Sequence, residues 1–323
     1  MEAAMKILIG CDESSSADKL YYDLKRAGLP DGTQAYVLSV ADVFIVPGYK
    51  PTKSKRDLDA AYLIHIDQEI SKAQQKADDL TKKLRSQFPS WHFNPRATAG
   101  SPALEIVNKA REWEIDLIVV GSHGKPGPGT AFVGSVALTI LSGAPCSIRI
   151  VRPKTKETDS PSRLIVAVDG SKISEATIDL LAKRCWVKGT SVHLVTAIDA
   201  VVYTAFLSYD SYYPVVSMVA VPDGSSTKKQ WHSRSKRPEA WVKKMHDEYK
   251  EKLEKYGIIV SSLIKEGQPK KVLLEEAKMW GADCILIGAV GHSSLERFFM
   301  GSVSSAIAAR AHCSVEIFRE SIV

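Results

Sequence analysis

The stretch Asp116-Leu-Ile-Val-Val-Gly121-Ser-His-Gly124, with Gly134-Ser135-Val136 after nine further residues, occurs twice in this chain. The second copy reads Asp283-Cys-Ile-Leu-Ile-Gly288-Ala-Val-Gly291, and the same interval leads to Gly301-Ser302-Val303. The offset of 167 also joins Gly100-Ser101-Pro102 to Gly267-Gln268-Pro269, Trp113 to Trp280, Phe132 to Phe299, and Cys146-Ser147 to Cys313-Ser314. Nearer the start of each copy, Asp12 and Ser14 correspond to Asp169 and Ser171 at an offset of 157, so ten extra residues enter the second copy between these regions. Self-similarity at this period is a tandem duplication of a domain-sized unit, and 323 residues suit two domains.

Each copy alternates strands and helices. Met5–Gly10 is a continuous apolar strand, and the Asp-Glu-Ser-Ser-Ser after it is rich in helix-capping residues. Ala35–Val40 predicts a second strand. Tyr62, Ile66, Ile70, Ala73, Ala77, Leu80, Leu84 and Phe88 recur every three or four residues, which marks the apolar face of a long helix. A weaker strand follows at Trp91–Ala97, a helix opened by Pro102, a strand at Asp116–Gly121, a short helix at 134–141, and a strand at Cys146–Val151. The second copy repeats the order, with its long helix expected at about 240–256. Apolar strands separated by helices pair in parallel with both faces covered. Each half is therefore expected to be a five-stranded, doubly wound α/β domain, spanning 1–152 and 163–323, with the polar, proline-containing segment 152–162 as linker.

Composition narrows the function classes. Hydrophobic residues at 45% and charged residues at 25% exclude disordered and fibrous chains, and a net charge of +6 is mild for a chain this long. No apolar run reaches the length of a membrane helix, and Met1–Cys11 lacks the layout of a signal peptide. The five cysteines are widely spaced, and four lie in apolar runs, so reduced, buried thiols and a cytoplasmic location are expected. No CxxC or HExxH spacing calls for zinc.

Ligands of doubly wound sheets bind beyond the carboxyl ends of the strands. There Gly121 and Gly124, like Gly288 and Gly291, let the backbone turn tightly and bring amides close to an anion. Gly134-Ser135 and Gly301-Ser302 open the next helix, where free amides and the dipole favour phosphate and the hydroxyl adds a donor. The spacing is not that of the G-x4-G-K-[ST] loop, because Val119 and Pro126 stand where Gly and Ser or Thr would be needed.

These residues, in both halves, resemble the universal stress proteins, in the ATP-binding branch and in tandem form. The resemblance implies strand order 3-2-1-4-5 and ATP (or ADP or AMP) across the switch point, with Mg²⁺ accompanying the phosphates. It implies that Asp12 and Asp169 contact the nucleoside and that Val40 and Ala197 face adenine. It further implies that Gly121, His123, Gly124, Gly134, Ser135 and Val136, and in the second half Gly288, Gly291, Gly301, Ser302 and Val303, cradle ribose and phosphates. Val290 replaces the second half's expected His, and Pro126-Gly127-Pro128-Gly129 departs from the second half's bulkier loop. Asp12 and Asp169 also read as helix N-caps. The resemblance places the two fifth strands at a contact between the halves, as an intramolecular pseudo-dimer.

The expected function is nucleotide binding as a regulatory signal in stress response or signalling, with at most slow ATP hydrolysis, because no nucleophile–base pair or GxSxG elbow is present. The alternative is a scaffold acting without nucleotide, through dimerisation and docking of a protein partner; a phosphotransferase or AMP-forming ligase is disfavoured. The 200–238 segment, with Tyr203, Phe206, Tyr209, Tyr212 and Tyr213 before a basic run, is the candidate docking loop. It resembles no nucleic-acid-binding module.

Overall fold

A computed structural model describes residues 4–12, 17–43, 56–122, 133–152, 160–198, 227–291 and 300–319. In the first half the elements are β1 (Lys6–Cys11), α1 (Ala17–Lys25), β2 (Gln34–Ala41), α2 (Arg56–Gln87), β3 (His92–Ala99), α3 (Pro102–Glu112), β4 (Leu117–Gly121), α4 (Ser135–Gly143) and β5 (Ser147–Val151). In the second they are β6 (Arg163–Ala167), α5 (Lys172–Ala182), β7 (Ser191–Ile198), α6 (Thr227–Glu254), β8 (Ile259–Glu266), α7 (Pro269–Met279), β9 (Cys284–Gly288), α8 (Ser302–Arg310) and β10 (Ser314–Phe318).

The strands form one ten-stranded sheet in the order β3-β2-β1-β4-β5-β10-β9-β6-β7-β8. Read from its outer edge, each half has the expected order 3-2-1-4-5. Pairing is parallel within each half and antiparallel only at the join, where Ile148, Arg149 and Ile150 lie opposite Ile317, Glu316 and Val315. The fifth strands thus fuse two domains edge to edge, and neither leaves that edge open to a stray strand.

Alternation along the strands divides the core. Leu8, Ile118, Ile148 and Ile150 face α3 and α4, and Ile165, Ile285, Val315 and Ile317 continue the same layer onto α7 and α8. This layer runs unbroken across the join. On the other face the apolar core is in two parts: Ile7 and Ile9 pack under α1 and α2, and Leu164 and Val166 under α5 and α6. The predicted face of α2 is buried at Ala73, Ala77, Leu80, Leu84 and Phe88. Burying a side chain such as Leu84 contributes about 1.5–3 kcal/mol, more than helix propensity supplies over a turn.

Several repeated residues serve the frame. Asp116 accepts from the Lys6 amide and Asp283 from the Arg163 amide, both at 2.8 Å, so each carboxylate closes the start of its half's first strand. Trp113 stacks on Tyr36 and Trp280 on His193, with ring centres 4.9 and 5.2 Å apart. Cys146, Cys284 and Cys313 are buried, whereas Cys185 is exposed. Burial pushes the Cys146 thiol up to about 12, helped by Asp116. No helix among the described residues is long and apolar enough to cross a membrane.

The start of α6 differs from expectation. The helix begins at Thr227, inside the segment read as loop. Its first turns, Thr227–Arg237, carry basic and polar residues with no apolar stripe, so periodicity could not reveal them. The aromatic stretch holding Tyr203, Phe206, Tyr209, Tyr212 and Tyr213 lies outside the described residues.

Candidate functional site

In the second half the predicted residues gather at the carboxyl end of the sheet. Asp169 follows β6, and its Oδ1 accepts from the Ser171 amide at 3.0 Å and the Ser171 hydroxyl at 2.6 Å. Ser171 in turn is the N-cap of α5, its Oγ accepting from the Ser174 amide at 3.3 Å. The capping role considered for Asp169 therefore belongs to Ser171, and Asp169 holds the cap in place. Its other oxygen faces the glycine turn: a Cβ on Gly291 would stand 2.7 Å from Asp169 Oδ2. A side chain here would have to push that carboxylate aside.

Gly288 ends β9, and a Cβ there would meet Ile173 of α5 at 2.7 Å. Gly301 donates its amide to Ala289 O at 2.7 Å, and a Cβ on it would meet the same oxygen at 3.2 Å. Ser304 Oγ donates to Gly288 O at 2.6 Å. These bonds pull the start of α8 against the end of β9, and sequence reasoning missed Ser304. Ser302, the first residue of α8, is exposed, and Val303 is half-buried against the core.

The first half matches this arrangement where it is described. Gly134 donates to Ser122 O at 2.8 Å, the counterpart of the Gly301 bond, and opens α4 with Ser135 and Val136 both exposed. Gly121 is exposed at the end of β4, and Asp12 is exposed just after β1. His123 and Gly124 lie outside the described residues. In both halves the short helix after the fourth strand has a glycine N-cap, Gly134 or Gly301. Glycine has no side-chain oxygen to give the first helical amides, so those donors are left for another acceptor.

Val40 and Ala197 sit near the ends of the second strands, both half-buried and packed against the shared core layer. Next to Ala197 but on the opposite face, Thr196 Oγ1 donates to Val168 O at 2.7 Å. It must therefore accept from His246 Nε2, 2.8 Å away, so the imidazole carries its proton on Nε2. Burial holds His246 down to about 4, with the neighbouring His193 adding to the effect and Asp247 opposing it. Trp241, also on α6, covers Gly170, whose φ of +79° is one that glycine adopts without strain.

The sequence profile of the universal stress protein family matches this chain twice, over residues 4–152 and 161–319. YxiE, a universal stress protein of Bacillus subtilis, is 27% identical over 161 residues, covering 49% of this chain and 99% of its own. The crystal structure of a universal stress protein from Archaeoglobus fulgidus shares the fold over 98% of this chain and 96% of its own, with a TM-score of 0.61 and 19% identity. A universal stress protein family protein from Arabidopsis thaliana, solved with AMP bound, is similar over 50% of this chain and 94% of its own, at 19% identity and a TM-score of 0.31. With one family matched by each half in turn, the chain belongs to the universal stress protein family as a tandem member.

Proposed function

We propose that each half, 1–152 and 163–323, binds an adenine nucleotide, ATP with Mg²⁺ foremost, as a regulatory ligand in stress response or signalling. The observation that carries this reading is the uncapped start of α4 and of α8, each opened by a glycine and an exposed serine beside the end of a fourth strand. Amides at such a helix start, with the dipole behind them, suit a phosphate, and each hydrogen bond to a charged group contributes about 1.5–3 kcal/mol. In the second half the Asp169 carboxylate next to Gly291 supplies an acceptor for nucleoside hydroxyls. Mg²⁺ is held largely by phosphates and water and needs few protein ligands. Backbone donors, a hydroxyl and a carboxylate steadied by Ser171 suit holding a phosphate ester rather than cleaving it.

Thermal melts of protein first stripped of ligand test the reading. A ligand that binds only the folded state adds about 2.7 kcal/mol at 100 times its dissociation constant, so millimolar ATP with Mg²⁺ is expected to raise the midpoint by several degrees. No shift with ATP, ADP or AMP would favour a scaffold that works without nucleotide. Mass spectrometry of small molecules released from freshly purified protein identifies which nucleotide is carried.

A further inference from the structure

Two pairs of polar contacts at the join between the halves obey a two-fold relation. The Arg319 amide donates to Ser147 Oγ at 3.2 Å, and the Arg152 amide to Ser314 Oγ at 2.8 Å. The Arg319 guanidinium donates to Leu141 O at 2.5 Å at the end of α4, and that of Arg152 to Ala308 O at 2.6 Å at the end of α8. Each pair of equivalent positions is separated by the repeat offset of 167. Two copies of either half could make these same contacts with each other, so the contacts carry no information about which partner is correct.

The residue on the axis breaks the symmetry. Arg149 and Glu316 are equivalent by the same offset, and they lie directly opposite each other across β5 and β10. If two first halves joined through β5, Arg149 would meet a second Arg149. If two second halves joined through β10, Glu316 would meet a second Glu316. Both side chains are buried, at 3% and 0% exposure. Arg149 Nη1 donates to Glu316 Oε2 at 2.7 Å, and behind it Arg149 Nε donates to Asp23 Oδ2 at 2.6 Å. On the other side Arg184 pairs with Glu316, and Ser314 donates to Asp23 across the join. Burial pushes the Glu316 carboxyl up, but Arg184 and Arg149 outweigh it and hold the group below its usual range. Like charges placed in contact at such a depth repel strongly and have no water to screen them.

We propose that Arg149 and Glu316 set the partner choice of this join: the β5 edge of a first half accepts the β10 edge of a second half and rejects a second copy of itself. Specificity is a difference between two pairings, and here the wrong one carries the repulsive element. The consequence is particular to a tandem chain. Self-pairing of β5 with β5 and of β10 with β10 requires a second chain, whereas pairing of β5 with β10 closes within one molecule.

Charge exchange in the full chain tests this. D23R/R149E reverses the first half's pair, so that two carboxylates face each other across the join. R184E/E316R reverses the second half's, so that two guanidinium groups do. Each is expected to speed amide hydrogen exchange in β5 and β10 at least ten-fold, with β1 and β2 little changed. Mixing the two variants is expected to restore protection in a one-to-one dimer, since each chain then offers the half the other needs. All four substitutions in one chain are expected to restore it without a partner. The proposal is overturned if either double variant keeps the natural protection, or if the mixture and the four-fold variant are no better protected than the doubles. Should the doubles fail to accumulate as folded protein, the four-fold variant is compared with them directly: recovery supports the proposal, and equal failure overturns it.

Discussion

The two halves repeat the same strand order and differ in how their side chains pair. Asp116 and Asp283 both close the first strand through a backbone amide. Gly134 and Gly301 both donate to the carbonyl just beyond the fourth strand. Where the contact joins side chain to side chain, the halves part company. Trp113 lies on Tyr36, but Trp280 lies on His193, which also touches Ser261 Oγ at 2.7 Å and Glu276 at 3.4 Å. On the axis, Arg149 in one half answers Glu316 in the other. A backbone amide always needs the same kind of partner, so residues that serve it stay alike after duplication. A side-chain pair stays satisfied when both members change together, so it is free to diverge.

The largest expected effect lies at the join. Glu316→Leu would leave the Arg184 guanidinium facing no carboxylate and Arg149 with Asp23 alone in a dry interior, and breaking such a pair costs about 3–5 kcal/mol. Urea denaturation measures the loss. Glu248→Ala, which removes the exposed partner of Lys244, is the control and should stay within about 0.5 kcal/mol. A loss at Glu316 as small as the control's would mean the join adds nothing to stability.

Acid should find the second half first. Among the described residues both buried histidines, His193 and His246, belong to it. His246 titrates at about 4 in the folded chain, because burial disfavours its charged form, against about 6.5 when unfolded. As pH falls, the unfolded chain therefore takes up the proton first. The stability tied to His246 is complete above about pH 6.5 and is lost between there and about pH 4, on the order of 3 kcal/mol in all. Unfolding free energies at pH 7 and pH 4.5 should differ less in His246→Phe than in the natural chain. An unchanged pH dependence would remove His246 as its source.

Nucleotide affinity is expected to separate the sites by a comparable or smaller amount. The first half has His123 in its glycine segment, where the second has Val290, a side chain with no donor. One hydrogen bond to a charged phosphate contributes about 1.5–3 kcal/mol, roughly ten- to a hundred-fold in affinity. Calorimetry on Gly134→Val and Gly301→Val, each blocking one helix start, should lose the tighter phase with Gly134→Val. Loss of that phase with Gly301→Val instead would put the tighter site in the second half.

The smallest effect is expected where the halves differ only in a stacked ring. His193→Tyr would give the second half the ring of the first, keeping the stack on Trp280 while changing the contacts to Ser261 and Glu276. The change in thermal stability should stay within about 1 kcal/mol, the scale of one aromatic pair. A much larger loss would show that His193 works through Glu276 and Ser261 rather than through its ring.

Much of this architecture can be read from residue order. The repeat marks two equal units, the apolar periodicity marks α2 down to Leu84 and Phe88, and Pro102 and Pro269 do open α3 and α7. Local chemistry suffices there, because a helix face or a first-turn proline involves residues a few positions apart. The beginning of α6 at Thr227 escaped because a polar helix has no apolar period to detect. Ser171 as the cap of α5, and Ser304 as the tie between α8 and β9, escaped because many serines follow a strand and only geometry selects among them.

Residue order alone marks the chain as a duplicated α/β unit and marks which loops carry glycine and which strands are buried. Those properties follow from spacing and side-chain polarity along a single segment. The folded arrangement adds that the Asp169 carboxylate stands beside Gly291, and that Arg149 and Glu316 meet on an axis between the halves. Each pairs residues more than a hundred positions apart, and their meeting depends on how strands order and halves dock. An arginine in one strand and a glutamate in another are merely charges in a sequence; enclosed together without water, they become a condition on which partner can fit.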